Sequence, residues 1–262
     1  MTAFVSSTYF QVFVFIFGAC FGSFLNVCIY RIPIDKSVVK PSSFCPKCGK
    51  PINFYDNIPI LSYIILGGRC RNCNESFSFR YPFVELISAL FTLIIFKIWG
   101  LSLIALFFWL FTLSLIVITF IDIDHQIIPD VISLPGIAVG FISSFFTNIG
   151  WLNSLLGIVI GGGSLFLIAY LYEKLAGKEG MGGGDIKLLG MIGAFLGAKS
   201  LLFVILISSL LGSVVGIGYM VFKKKDSKFA IPFGPFLSIG ALAYLYYGNE
   251  IVKWYINFVR LN

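Results

Sequence analysis

The chain has 262 residues, 58% of them hydrophobic and only 12% charged, with a net charge of +7 and a mean hydropathy of +0.94. A soluble protein of this size carries roughly 25% charged residues, so the composition argues against a soluble globule, a disordered chain and a secreted disulfide scaffold, and for an integral membrane protein. The 19 Lys and Arg lie in short polar gaps between apolar stretches, as membrane topology demands and not as a nucleic-acid reader would place them.

In chain order, the first apolar run covers residues 9–30. No basic residue precedes it, so it reads as a retained span rather than a cleavable signal. Cys20 and Cys28 sit inside it as small hydrophobes. A polar stretch, 31–81, follows and contains Cys45-Pro-Lys-Cys48 and Cys70-Arg-Asn-Cys73, with 21 residues between the pairs. Two such knuckles at this spacing predict a tetrahedral zinc site. Four thiolates leave no open position, so the metal is expected to be structural. Redox-active thiols, or cysteines that pack without metal, are the alternatives.

Further apolar runs cover 82–98, 101–121, 131–148, 154–172, 186–198, 200–222 and 230–248. With the first they give about eight transmembrane helices at about 20 residues each. The sixth is short and glycine-rich, so a tilted, re-entrant or fused segment is equally open there. Residues 249–262, with Trp254 and Tyr255, read as an interfacial helix. The expected organisation is a first span (1–30), a zinc-binding segment (31–81), a membrane core (82–248) and an interfacial C-terminal segment (249–262). Fifteen of the nineteen basic residues fall in 31–81, 173–187 and 223–228, which places those segments in the cytoplasm and both termini outside.

Carboxylates next to apolar spans are costly, at least about 2.5–3.5 kcal/mol each on insertion scales, and each is a functional hypothesis. Glu85 is expected just inside the second span, paired with Arg31 or Arg80. Asp122 and Asp124 close the third span in Ile121-Asp-Ile-Asp-His-Gln-Ile-Ile-Pro-Asp130. Asp185 heads the sixth in Gly180-Met-Gly-Gly-Gly-Asp-Ile-Lys187. The topology puts Asp122 and Asp185, 63 residues apart, at the same membrane face. Two carboxyls in a partly dry site share a proton near neutral pH. One can then activate water while the other donates to a peptide carbonyl. A proton relay in a transporter, or helix capping by Asp185, are the other readings of the same pair. The run Gly182, Gly183 and Gly184 allows close approach of a bound peptide. Asp130 reads as an N-cap, Asp124 as a contact for solvent, substrate or Lys187, and His125 as an interfacial polar residue without metal partners.

Taken together these stretches resemble the bacterial prepilin peptidases, the type IV leader peptidases of the GxGD class of intramembrane aspartic proteases. Beyond the paired cysteines and the aspartate motifs, the resemblance is carried by Phe21-Gly-Ser-Phe-Leu-Asn-Val-Cys-Ile-Tyr-Arg-Ile-Pro33, Pro51-Ile-Asn-Phe-Tyr-Asp-Asn-Ile-Pro-Ile-Leu-Ser62 and Arg80-Tyr-Pro-Phe-Val-Glu85. It implies catalytic roles for Asp122 and Asp185, with Gly182, Gly183, Gly184, Asp124 and Lys187 supporting the site, and zinc on Cys45, Cys48, Cys70 and Cys73. It also implies type IV prepilins and pseudopilins as substrates, cut after Gly at the cytoplasmic face of the bacterial inner membrane. N-methylation of the new terminus with S-adenosylmethionine is implied as a second activity. A proton-coupled transporter and a non-catalytic membrane scaffold are the competing classes. The first would show repeated halves, which the sequence lacks, and the second would tolerate Asn at 122 and 185.

Overall fold

The computed structural model describes residues 7–177, 182–223 and 232–261. Lys178, Gly180, Met181, Lys224, Lys225 and Lys228 lie outside the described residues, as do the side chains of Trp254 and Tyr255. The protein is all-α. Its helices are α1 (Thr8–Arg31), α2 (Leu61–Ile65), α3 (Arg80–Trp99), α4 (Leu103–His125), α5 (Asp130–Ser143), α6 (Trp151–Ala176), α7 (Gly183–Leu196), α8 (Ala198–Lys223) and α9 (Gly234–Leu261). Each apolar run of the sequence coincides with one of the eight long helices, because in lipid a backbone must satisfy its own hydrogen bonds.

Among the described residues, five helical stretches are long and apolar enough to cross a membrane: Thr8–Ile34, Arg80–Trp99, Leu103–His125, Trp151–Leu175 and Ala198–Val221. This is a membrane protein. Helices α5 and α7 have 14 residues each, about 21 Å at 1.5 Å per residue, short of the roughly 30 Å hydrocarbon layer. The sixth run is therefore a separate short helix. It is divided from α8 at Gly197, where φ is +78° and a Cβ would lie 2.6 Å from Asn153 Nδ2. The backbone of α9 continues as helix through the 249–262 stretch as far as Leu261.

The chain divides into two compact units, Met1–Val117 and Ile118–Asn262. In the first, α1 packs along α3 through small residues four apart, the spacing that brings helix backbones together. A Cβ on Gly18 would fall 2.8 Å from Ala89 Cα, and one on Gly22 would fall 2.6 Å from Glu85 Cα. The Trp109 indole closes this crossing. It stacks on Phe17 with ring centres 5.5 Å apart and donates to Thr92 Oγ1 at 2.9 Å. Between α1 and α3 lies the polar segment. Two isolated antiparallel bridges, Phe44 with Pro51 and Arg69 with Ser76, each close one cysteine knuckle.

In the second unit α7 is the innermost helix. Residues 188–196 are all buried, and α5, α6, α8 and α9 pack against it. On α6 the buried residues are Ser154, Gly157, Gly161 and Leu165, one face at helical spacing. A Cβ on Gly157 would lie 2.1 Å from the Gly193 carbonyl oxygen, so the two backbones touch. Ser154 Oγ donates to the Ala194 carbonyl at 2.7 Å across the same contact.

Candidate active site

Asp122 stands in the last turn of α4 and is 5% exposed. Its Oδ2 accepts the Gly234 N–H at 2.9 Å. Gly234 is the first residue of α9, whose free N–H groups form the partly positive end of a helix. A Cβ at this position would approach Asp122 Oδ2 to 2.7 Å, so only glycine lets the amide reach the carboxylate.

Asp185 is the third residue of α7, ahead of that helix's buried run. The N-cap position is Gly182, which has no side chain to bond the helix start, so Asp185 is not the capping residue. Burial, with the neighbouring Asp122 carboxyl as second cause, pushes the Asp185 carboxyl up to about 7. The two carboxyls thus act on each other, although one comes from the end of α4 and the other from the start of α7. Ile128, which is buried, fills the space between the starts of α7 and α9: a Cβ on Gly184 would lie 2.9 Å from Ile128 Cβ, and one on Gly234 3.3 Å from Ile128 Cδ1. Gly184 is therefore sterically required, whereas nothing lies within 4 Å of a Cβ at Gly183.

Lys187 Nζ donates to Asp130 Oδ1 at 2.5 Å. This corrects the N-cap expectation for Asp130. Asp130 is the first helical residue of α5 behind an N-cap at Pro129, and its carboxylate serves Lys187 rather than its own helix. Lys187 accordingly pairs with Asp130, while Asp124 and His125 are exposed. Glu85 departs from expectation as well. Its Oε2 accepts the Ile60 N–H at 2.7 Å, and the Arg31 guanidinium donates instead to the carbonyls of Ser37 and Pro41.

In the first unit, one sulfur from each of Cys45, Cys48, Cys70 and Cys73 lies within 4.8 Å of the others. The Cys45 and Cys73 sulfurs are 3.8 Å apart, the edge of a tetrahedron with roughly 2.3 Å metal–sulfur bonds. Backbone N–H groups of Cys73 and then Asn72 lower the Cys70 thiol to about 7. Cys73 is pushed up to about 12: the Glu75 N–H opposes the rise, and desolvation with the adjacent thiols outweighs it. Four thiols this close cannot all ionise unless a cation is shared between them, so the donor set fits a divalent metal.

Two family matches divide the chain along similar lines. The bacterial peptidase A24 N-terminal domain matches residues 16–99, and the type IV leader peptidase family matches residues 109–217, which include both aspartates. A protein of Aeromonas salmonicida named prepilin leader peptidase/N-methyltransferase is 37% identical over 276 residues, covering 93% of each chain. The chain belongs to the type IV leader peptidase family. Proteins of the same name from Pseudomonas aeruginosa and Legionella pneumophila are 37% and 35% identical, covering 92% and 93% of this chain and 91% and 93% of their own. No solved structure matches.

For a member of the leader peptidase family, the residues singled out in the sequence fall into three groups. Asp122, Asp185 and Gly184 come together. Lys187 pairs with Asp130 instead of with either of these aspartates. Gly182 and Gly183 stand at the start of α7, a Cβ on Gly182 lying 4.0 Å from Asp185 Oδ2 and one on Gly183 meeting nothing within 4 Å, and Asp124 is exposed. Gly234 and Ile128 were missed. The readable signal for Gly234 was Pro235 behind it, since proline favours the first turn of a helix.

Proposed function

We propose that the chain is an aspartic prepilin leader peptidase of the bacterial cytoplasmic membrane, and that it also N-methylates the terminus it releases. The observation that carries the reading is the electrostatically coupled pair of buried Asp122 and half-buried Asp185, with unequal hydrogen bonding. A charged carboxylate is the better acceptor of an N–H bond, and only Asp122 has the Gly234 amide. Asp122 is therefore the charged partner and Asp185 the one that keeps the proton.

The chemistry follows from that division. Asp122 takes a proton from water as the water oxygen bonds to the scissile carbonyl carbon. Asp185 gives its proton to the carbonyl oxygen, so no bare oxyanion forms. When the tetrahedral diol collapses, one diol hydroxyl returns its proton to Asp185 as its C=O bond forms, the C–N bond breaks, and the leaving nitrogen receives the proton held on Asp122. Glycine before the scissile bond suits the site, because a residue without Cβ lets two carboxyls approach closely. The substrates are type IV prepilins and pseudopilins, whose basic leaders end at that glycine, and the distribution of basic residues supports a cytoplasmic site.

Cys45, Cys48, Cys70 and Cys73 would hold a zinc ion with a closed ligand set, which adds stability to a segment that buries few apolar side chains of its own. S-adenosylmethionine would supply the methyl group for the second activity. The test is cleavage of a prepilin by the purified protein beside folded Asp122→Asn and Asp185→Asn. Both variants are expected to be inactive, and cleavage by either one overturns the assignment.

A further inference from the structure

The 31–81 segment, expected to face water, contains an apolar cluster that it does not bury. Residues 58–66, Ile-Pro-Ile-Leu-Ser-Tyr-Ile-Ile-Leu, hold six aliphatic side chains, and none of the six is buried. The one buried residue of this stretch is Ser62, whose Oγ donates to the Tyr55 carbonyl at 3.0 Å. The outward side of α2 carries Leu61, Ile64 and Ile65, which are 56%, 67% and 76% exposed. A helix in water turns its apolar face inward and its polar face out. In α2 that polarity is reversed, as it is where the surroundings are lipid.

The neighbouring helix sets the depth at which α2 lies. Phe79, Phe83, Leu86, Leu90, Ile94 and Ile98 are all exposed and follow one another at steps of three or four residues, a single stripe along α3 from its N-cap onward. The 20 residues of α3 are apolar enough to cross a membrane, and they reach about 30 Å, the thickness of the hydrocarbon layer. The stripe therefore faces acyl chains, and its start at Phe79 and Phe83 lies at the edge of that layer. α2 is fastened beside this start. The Ile60 N–H donates to Glu85 Oε2 at 2.7 Å, and the Tyr63 hydroxyl donates to the Phe77 carbonyl at 3.2 Å. The rings of Tyr63 and Phe79 are 6.4 Å apart, edge to face. Between α2 and α3 runs a groove of about 310 Å³, whose walls include Tyr63, Ile64, Phe79, Phe83 and Leu86. Among the described residues no charged side chain lines it.

Phe79, Phe83 and Leu86 belong to the groove and to the stripe alike, so the groove is continuous with the lipid-facing surface of α3. A soluble partner fits less well, because such an interface is closed by a polar rim and this patch runs on into the membrane instead. The remainder of the segment suits the same surface: residues 31–81 include eight basic and three acidic side chains, the balance that an anionic leaflet attracts. We infer that α2 is an in-plane membrane anchor, with Leu61, Ile64 and Ile65 in the acyl layer, and that the α2–α3 groove holds an acyl chain of a phospholipid. The cysteine knuckles are thereby held against the leaflet by α2 as well as by the spans on either side. The inference depends on neither activity proposed above.

The test uses the full-length protein, one copy per nanodisc of phosphatidylethanolamine and phosphatidylglycerol, with a trace of phospholipid carrying a photoactivatable diazirine in its acyl chain. Labelled residues are mapped by mass spectrometry. Label is expected at residues 60–67 and 79–86, and also at Leu90, Ile94 and Ile98, which serve as the internal standard. Label on the standard with none at 60–67 overturns the inference. So does a groove that is labelled in single-copy discs and protected in two-copy discs, because a second copy is then its occupant. Ile64 and Ile65 are exposed, so changing both to Glu is expected to leave the fold intact. That double variant should lower labelling of 60–67 at least about fivefold relative to the standard, whereas Leu at both positions should leave it unchanged. Equal labelling of the Glu variant and the parent overturns the anchoring role of α2. The labelling pattern of the parent decides the lipid site even where the Glu variant fails to fold.

Discussion

The cysteine knuckles and the carboxyl pair are assembled in opposite ways. The knuckles are local: each brings two thiols together across two intervening residues and closes over one backbone bridge, Phe44 with Pro51 or Arg69 with Ser76. The carboxyl pair is distant in sequence, and its hydrogen-bond donor is more distant still, 112 residues from Asp122. The knuckle segment leaves most of its apolar side chains unburied, and its four thiols fit a shared divalent ion. The carboxyl site depends on helices whose backbones touch, as at Gly157 and Gly193. A local motif of this kind is expected to respond to loss of one ion, and the distant one to a shift of a helix end by the width of a methyl group.

The largest effect should come from the carboxyls themselves. Asp122→Asn or Asp185→Asn is expected to lower leader cleavage by about 10³-fold or more with the fold intact, measured as single-turnover rates. Next is Gly234→Ala. Its added Cβ would sit 2.7 Å from Asp122 Oδ2, so the start of α9 must move and the amide must leave the carboxylate. A loss of about 10- to 100-fold in kcat, larger than any change in KM, is expected from that one methyl group. The pH profile of the parent gives a third measure. Asp185 must be protonated to donate, and its raised value of about 7 means the proton is present below that pH and lost above it. Cleavage should decline on the alkaline side with a midpoint near 7, about tenfold per pH unit thereafter. A flat profile to pH 9 would reverse the roles of the two aspartates.

The knuckles should respond to a treatment that leaves the carboxyls untouched. A chelator is expected to make residues 31–81 sensitive to protease within minutes, and added zinc should restore protection. Persistent resistance without metal would mean that the four thiols pack unaided. The smallest effect is expected at Lys187. Its ion pair with Asp130 is partly exposed, with 35% and 56% of the two side chains accessible, and such pairs contribute about 1 kcal/mol or less. Lys187→Met should slow cleavage only a few-fold, and a loss as large as that of Asp185→Asn would give it a direct role.

What could be read from the sequence follows the same division. The thiols announce themselves by spacing, and Asp122 and Asp185 by being charged where charge is costly. Partners supplied by backbone could not be read, because every residue but proline carries an N–H. Glu85 therefore looked like half of an ion pair with Arg31 or Arg80 when its contact is the Ile60 amide, and Gly234 gave no side-chain signal at all. The Lys187–Asp130 pair joins residues 57 apart, and only the packing of α5 against α7 brings the two together. Helix existence followed from the apolar runs, but the separation of α7 from α8 turned on one glycine with positive φ.

The enclosure of α7 has a consequence for how this protein meets its membrane. A 14-residue helix facing lipid would suffer hydrophobic mismatch and would thin or deform the surrounding leaflet. Residues 188–196 of α7 are buried among its protein neighbours, so its length is matched to other side chains and not to acyl chains. The depth of Asp185 is thus set by the contacts of α7 with α5, α6, α8 and α9, and a change in bilayer thickness reaches it only through those helices.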